Sequence, residues 1–313
     1  CDMTGQAAQE DPMTTQTTRK IVYVTDSGFL KPTLVSIWSL LDTIRGQAEL
    51  HVWGHGLSAR DWDAVRRVAA VNPAVVLHRR DLDDEAMKDA HGPKDYISAA
   101  TMGRLFIPRH LSGPVLYIDG DTLVTGDVGP LFDLDLGRHY AAVIRDYTLI
   151  HWLADDGVAP GERDARLSEV ARLMGRTPSA DYFNAGIMMF NCDAIRSDPD
   201  LLAAVEDVAR ASAHSHGDQD HLNALFAGHV MQLDIGWNLS WGRRRRHLRH
   251  LSGLGVTDFG ALPRPSAIIH YHGPHKPWRR ARRDVWSSRG RATWHYRRRL
   301  ARFARSFPDL LPS

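Results

Sequence analysis

The chain has 313 residues, of which 43% are apolar and 24% charged, with 39 Lys and Arg against 37 Asp and Glu. That is enough to bury a full core in one large domain, and the balance excludes a collagen-like, low-complexity or charge-driven disordered chain. Two cysteines, Cys1 and Cys192, exclude a disulfide framework and suit a reducing compartment, and no run of about eighteen apolar residues exists to form a membrane-spanning helix.

Residues 1–18, rich in Thr, Gln and Asp without periodicity, read as a disordered tail. Ile21 to Thr25 reads as a strand, followed by a loop from Asp26 into a helix that carries Leu34, Ile37, Trp38, Leu40 and Leu41 on its apolar side. Glu49 to Trp53 is a second strand, Ser58 caps a helix through Val71, and Ala74 to Leu77 is a third strand. Met102 to Pro108 closes another helix. Val115 to Ile118 is four apolar residues without polar alternation, as expected of a parallel strand covered on both faces, and Tyr140 to Ile144 repeats the pattern before Asp146. Residues 147–180 are polar with helical stretches, interrupt the rhythm, and read as a substrate-facing insertion. Gly186 to Phe190 is the next strand, with a helix from Asp193; Asp218-Gln219-Asp220 caps a helix through Phe226, and Ala267 to Ile269 is the last strand. The cluster from Arg243 to Arg246 reads as a loop. Strand and helix alternate as in βαβ units, which predicts an α/β domain with a mainly parallel sheet over residues 19–278.

The strand at 115–118 runs straight into Asp119-Gly120-Asp121. Ligands bind at the carboxyl ends of strands in open α/β sheets, and two carboxylates in an i, i+2 relation there can face one hard cation. Taken alone, such a triplet is more often a turn or a helix cap than a site. No Gly-x-Gly-x-x-Gly follows the first strand and no Gly-x-x-x-x-Gly-Lys-Ser/Thr occurs, so neither dinucleotide-fold nor P-loop phosphate binding is supported. A late segment, His270-Tyr271-His272-Gly273-Pro274-His275-Lys276-Pro277-Trp278, combines a metal-ligand type, a flexible glycine and a cation.

In order along residues 20–278, Ile21 to Asp26, Arg104, Asp119-Gly120-Asp121, Asp146, Tyr182 to Gly186, Asp218-Gln219-Asp220 and His270 to Trp278 resemble the retaining glycosyltransferases of family 8. The chain departs from the usual pattern at Gly28 and Met102-Gly103. The resemblance implies a single Rossmann-like GT-A domain that takes a hexose, galactose or glucose, from a UDP-sugar donor to a saccharide or lipid-linked saccharide such as lipopolysaccharide. It implies Mn²⁺, or Mg²⁺ in its stead, on Asp119, Asp121 and His270, a set with an imidazole that suits Mn²⁺ better than Ca²⁺. It assigns nucleotide contacts to Val24, Thr25, Asp26, Arg104, Gly120, Gly273 and Lys276. Donor-sugar contacts fall to Asp146, Asn184, Ala185 and Asp218, and the position beside the anomeric carbon to Gln219 with Asp218. The rival classes are a metal-dependent nucleotidyltransferase or phosphohydrolase, and a nucleotide-sugar binder without catalysis.

Residues 279–307 hold eleven arginines against the single acid Asp284, interleaved with Trp286, Trp294, Tyr296, Phe303 and Phe307. Arginine with aromatics on a helix suits an anionic membrane surface more than nucleic acid. The tail, residues 279–313, is therefore expected to attach a cytoplasmic enzyme peripherally to the inner face of the plasma membrane.

Overall fold

The computed structural model describes residues 18–82, 88–90, 99–154, 159–175, 180–279 and 284–310. The tail expected at 1–18 lies outside them, Thr18 apart. The strands are Arg19–Asp26 (β1), Ala48–His55 (β2), Val75–Asp81 (β3), Pro114–Ile118 (β4), Thr122–Val124 (β5), Ala141–Arg145 (β6), Phe183–Asn191 (β7), Val230–Gln232 (β8), Leu239–Ser240 (β9) and Ile268–His270 (β10). The longer helices are Leu30–Leu41 (α1), Ala59–Ala69 (α2), Tyr147–Leu153 (α3), Pro160–Met174 (α4), Asp218–Leu225 (α5), Arg244–Gly253 (α6) and Ser288–Ser306 (α7).

Seven strands form the main sheet in the order β3-β2-β1-β4-β7-β6-β8. It is mainly parallel, with β7 antiparallel to both neighbours. Val115, Leu116, Tyr117 and Ile118 are all fully buried, as their unbroken apolar run requires. Leu34, Ile37 and Leu41 of α1 and Trp62, Val65 and Val68 of α2 bury at helical spacing against one face. Each such side chain is worth roughly 1.5–3 kcal/mol of burial. α2 starts at Ser58, whose hydroxyl accepts the Asp61 N–H while the Asp61 carboxylate accepts the Ser58 N–H.

Two features bring distant residues to one place. Because β7 runs antiparallel, its first residues stand beside the carboxyl ends of β4 and β6, with Ile187 opposite Ile118 and Asn184 opposite Ile144. The register shifts between Val143 and Ile144, so β7 carries extra residues where it leaves β6, a bulge of the kind that re-aims side chains at sites. A second sheet in the order β5-β10-β9 pairs Thr122 with His270, which sets His270 next to Asp121.

Several local expectations need correction. The helix expected at 102–108 is a 3₁₀ segment, Ala99–Phe106, followed by one α-turn, Ile107–His110. The cap of α5 is Gly217, at φ 57°, with Asp218 and Asp220 inside the first turn, where carboxylates complement the helix dipole. The arginine cluster read as a loop opens α6, whose His247, His250 and Leu251 form an inward stripe. The α2 helix stops at Ala69 rather than Val71. The basic tail is also not wholly available to a membrane: Tyr296 and Phe303 of α7, with Phe307 just beyond it, pack into the main core, leaving Trp286 and Trp294 as its exposed aromatics.

Candidate active site

A cavity of about 390 Å³ opens where β1 and β4 end and β7 begins. Of the residues assigned from sequence, Val24, Arg104, Asp119, Gly120, Asp121, Asp146, Asn184, Ala185, Asp218, Gln219, His270, Gly273 and Lys276 line it. Thr25 and Asp26 do not. The Thr25 hydroxyl bonds Thr33, and the Asp26 carboxylate accepts the Phe29 N–H at 2.8 Å, ordering the turn into α1.

The metal-ligand candidates do meet. The ligating atoms of Asp119, Asp121 and His270 all lie within 4.8 Å of one another. His270 Nε2 is 3.0 Å from Asp121 Oδ1 and 3.6 Å from Asp119 Oδ2. Lys276 Nζ sits 2.5 Å from Asp121 Oδ2, buried between the rings of Phe29 and Trp278. Burial alone would raise the Asp121 carboxyl, but Lys276 and His270 outweigh it and hold it well below the usual carboxylate range. The space is reserved by Gly186, where a Cβ would come 2.3 Å from the His270 ring and 2.7 Å from Asp119.

The protonation of His270 follows from a chain of hydrogen bonds. The Gly186 N–H, which can only donate, points at Asn184 Oδ1 at 3.1 Å, fixing that amide. Asn184 Oδ1 also accepts from Asn238 Nδ2 at 2.8 Å, which turns Asn238 Oδ1 to His270 Nδ1 at 3.0 Å. Acceptors face both ring nitrogens, Asn238 Oδ1 at Nδ1 and Asp121 Oδ1 at Nε2, each at 3.0 Å; an ion between the carboxylates would take the place of the Nε2 proton while Nδ1–H keeps donating to Asn238. Two carboxylates and a lone pair directed at one point form a set that fits a divalent cation, with Asn238 as the outer partner that orients the imidazole.

Arg104 joins this cluster to the rest of the site. Its guanidinium is 3.1 Å from Asp119 and 2.6 Å from Asp218, and it stacks on Tyr117, whose hydroxyl donates to Asp119 at 2.5 Å. Burial pushes the Asp218 carboxyl up to about 6, although Arg104 opposes the shift.

The opposite wall is a line of oriented amides. Asn184 Nδ2 donates to Asp146 at 3.1 Å and to Gln219 Oε1 at 2.9 Å, and Gln219 Oε1 also accepts the Ala185 N–H at 3.2 Å. Gln219 Nε2 donates to the Tyr182 hydroxyl at 3.2 Å, which donates to Asp220 at 2.6 Å. Arg166 closes the line with a two-pronged pair to Asp220. Asp146 meanwhile caps α3 through the Leu149 N–H at 2.7 Å.

Reading the sequence missed Asn238, Tyr182 as a network member, and Arg166; from the stretch 147–180 expected to face the substrate, Thr148, Trp152 and Glu162 border the cavity. Arg166 and Asp220 are 54 residues apart, and no local pattern announces such a pair. For Asn238 the sequence offers a lone amide between Trp237 and Trp241.

The family model described as Glycosyl transferase family 8 matches residues 20–282. The chain is 28% identical over 214 residues to Glycosyltransferase GlyB of Streptococcus pneumoniae, covering 65% of this chain and 45% of that protein. It thus spans less than half the length of that relative. It is 26% identical over 269 residues to the Lipopolysaccharide 1,3-galactosyltransferase of Salmonella typhimurium, covering 82% of this chain and 72% of the relative. Among solved structures, galactosyltransferase LgtC in complex with donor and acceptor sugar analogs superposes with a TM-score of 0.68 at 23% identity, covering 89% of this chain and 95% of that one. The bifunctional glycosyltransferase WbbM gives 0.64 at 23% identity, over 83% of this chain and 47% of its own. The sheet is thus that of the GT-A glycosyltransferases.

Proposed function

The chain belongs to glycosyl transferase family 8, and from that premise we propose that it moves a hexose, galactose or glucose, from a UDP-sugar to a saccharide hydroxyl with retained configuration and with a divalent ion, Mn²⁺ or Mg²⁺. The observation that carries the reading is the convergence of Asp119, Asp121 and His270 beside Lys276, with the Asp146–Asn184–Gln219 line across the same cavity. One half suits a diphosphate and the other a sugar.

Asp119, Asp121 and His270 would hold the ion, which when bound offsets charge building on the departing diphosphate. Lys276 exchanges its bond to Asp121 for a phosphate oxygen, supplying a positive charge in a buried place where it counts most. Arg104 holds Asp119 and Asp218 apart and positions both. Asp146 and Asn184 accept and donate to sugar hydroxyls from fixed directions, with Asp218 and the Ala185 backbone beside them. Gln219 faces the sugar from the far wall. An amide is a poor nucleophile, so the reading has no covalent glycosyl-enzyme; the acceptor hydroxyl attacks from the leaving-group side and gives its proton to the departing phosphate oxygen. The acceptor lies against α3 and α4, where Thr148, Trp152 and Glu162 border the cavity. The lipopolysaccharide activity named for the Salmonella relative supports a cell-surface saccharide as that acceptor.

The test is a panel of UDP-sugars with Mn²⁺, following UDP release with and without saccharide acceptors. Transfer from UDP-galactose or UDP-glucose is expected. Consumption of a nucleoside triphosphate with every UDP-sugar left intact would overturn the reading in favour of a nucleotidyltransferase or phosphohydrolase.

No helix among the described residues is long and apolar enough to cross a membrane. Attachment to an anionic surface therefore falls to Trp286 and Trp294, which are 87% and 56% exposed, with the arginines around them. Cosedimentation with phosphatidylglycerol vesicles should drop at least tenfold in a Trp286→Ser/Trp294→Ser variant, and unchanged binding would sink the assignment.

A further inference from the structure

Away from the cavity, one face of β2 and β3 carries a second group of metal-ligand side chains. Glu49 and His51 are two apart on β2 and so share a face, and His51 stands opposite His78 in the parallel register. His51 Nε2 is 3.0 Å from Glu49 Oε2, and His78 Nε2 is 4.0 Å from the same oxygen. The two imidazoles stack at 4.6 Å, 13° from parallel. Their ligating atoms and the Glu49 carboxylate all lie within 4.8 Å of one another.

The setting suits a bound ion. His51 is buried, Glu49 partly so and His78 exposed, so the group has a fixed floor and a movable rim open to solvent. Val76, one register pair along the same face, is 57% exposed, so this part of the sheet is not roofed by a helix. Lys20, the neighbouring cation on β1, turns its ammonium to the Ser112 carbonyl at 2.8 Å and hydroxyl at 3.2 Å.

We propose that Glu49, His51 and His78 form a second divalent transition-metal site, for Zn²⁺ or an ion of its kind, that clasps β3 to β2. Two imidazoles and one carboxylate are a borderline-soft set that follows the Irving–Williams order, unlike the oxygen-rich set at Asp119 and Asp121. Bonds of about 2.0–2.1 Å in a tetrahedron place ligand atoms about 3.3 Å apart, so the group must contract. Rotation of the exposed His78 and half-exposed Glu49 side chains supplies that movement without displacing the backbone. Three protein ligands leave a fourth position for water.

The experiment is titration of the full chain with Co²⁺, read by its visible absorption, beside Zn²⁺ competition and thermal melting. The Asp121→Asn variant is expected to keep one Co²⁺ with a tetrahedral spectrum that Zn²⁺ displaces. The His51→Ala/His78→Ala variant should lose that spectrum while keeping UDP release. His78→Ala alone changes an exposed residue and cannot plausibly unfold the chain; it should weaken Co²⁺ binding at least tenfold and remove the rise in melting temperature that Zn²⁺ gives. Absence of a tetrahedral Co²⁺ spectrum in Asp121→Asn, or undiminished affinity in His78→Ala, would overturn the site.

Discussion

At one end of the cavity, Asp119, Asp121, His270 and Lys276 are charged or chargeable groups packed within a few ångströms, and Lys276 occupies a place on Asp121 that the proposed reaction has it give up to a phosphate. At the other end, Asp146, Asn184, Gln219 and Tyr182 form a line of donors and acceptors matched end to end, tied down by the buried Arg166–Asp220 pair. The first end is poised to exchange partners, because its attractions are strong but satisfied by a substitute. The second is poised to stay still, since every amide there has one orientation that satisfies its neighbours. Substitutions at the first end should therefore cost turnover with little loss of fold, and substitutions at the anchor of the second should cost fold.

The sharpest test is Asp121→Asn. The amide oxygen still accepts from Lys276, so circular dichroism should change little, while the melting temperature should fall because the buried Lys276 ammonium loses its counter-charge. Loss of one anionic ligand should lower UDP-sugar turnover by roughly a thousandfold, several kcal/mol of charge stabilisation at 1.36 kcal/mol per factor of ten. Turnover within tenfold of the parent would break the distinction at its charged end. At the other end, Arg166→Met takes the guanidinium from Asp220, which has no exposed surface, and leaves it the Tyr182 hydroxyl and the His216 N–H as donors. Removing one partner of a buried pair costs about 3–5 kcal/mol, so urea unfolding should shift by that order. A shift below about 1 kcal/mol would show that the amide line stands without its anchor.

Asn238→Ala sits between the two ends, because Asn238 links Asn184 to His270. Its loss frees the ring to take the other tautomer, and outer-partner losses of this kind typically cost 10–100-fold in metal affinity. Mn²⁺ titration should show that drop, with Asn238→Asp recovering part of it by again offering Nδ1 an acceptor. Equal Mn²⁺ affinity in all three proteins would mean His270 is oriented by packing alone.

How much of this was legible beforehand follows the same division. Asp119 and Asp121 stood out because a buried strand without alternation ends at them, and His270 because its segment holds a glycine and a lysine in close order. The anchor did not stand out. Arg166 lies in a polar stretch, Tyr182 stands in the segment before a strand without a role of its own, and their pairing with Asp220 exists once α4 and α5 pack together. The loop assignment for Arg243 to Arg246 failed for a more local reason. Four arginines read as solvated charge, yet arginine is a good helix former, and His247, His250 and Leu251 supplied the helical spacing.

α6 also gives the smallest and most specific expected effect. His247 is 1% exposed, packs edge-on to Tyr147 at 5.4 Å, and has no hydrogen-bond partner for either ring nitrogen among the described residues. Burial, with His250 and Arg145 nearby, pushes its pKa down from 6.5 to about 3. The folded ring is thus neutral at every pH above about 3, while the unfolded one takes a proton below 6.5. Between those limits the unfolded state binds the extra proton, so stability is full above pH 6.5 and falls as the solution is acidified, by roughly 1 kcal/mol per pH unit from this residue. His247→Leu removes the titration while keeping an apolar side chain against Tyr147. Unfolding free energies at pH 8 and pH 5 should therefore differ by about 1–2 kcal/mol less in the variant than in the parent. An identical difference in both proteins would mean that His247 gains a partner or water on acidification, and that the wall behind α3 is less closed than its packing implies.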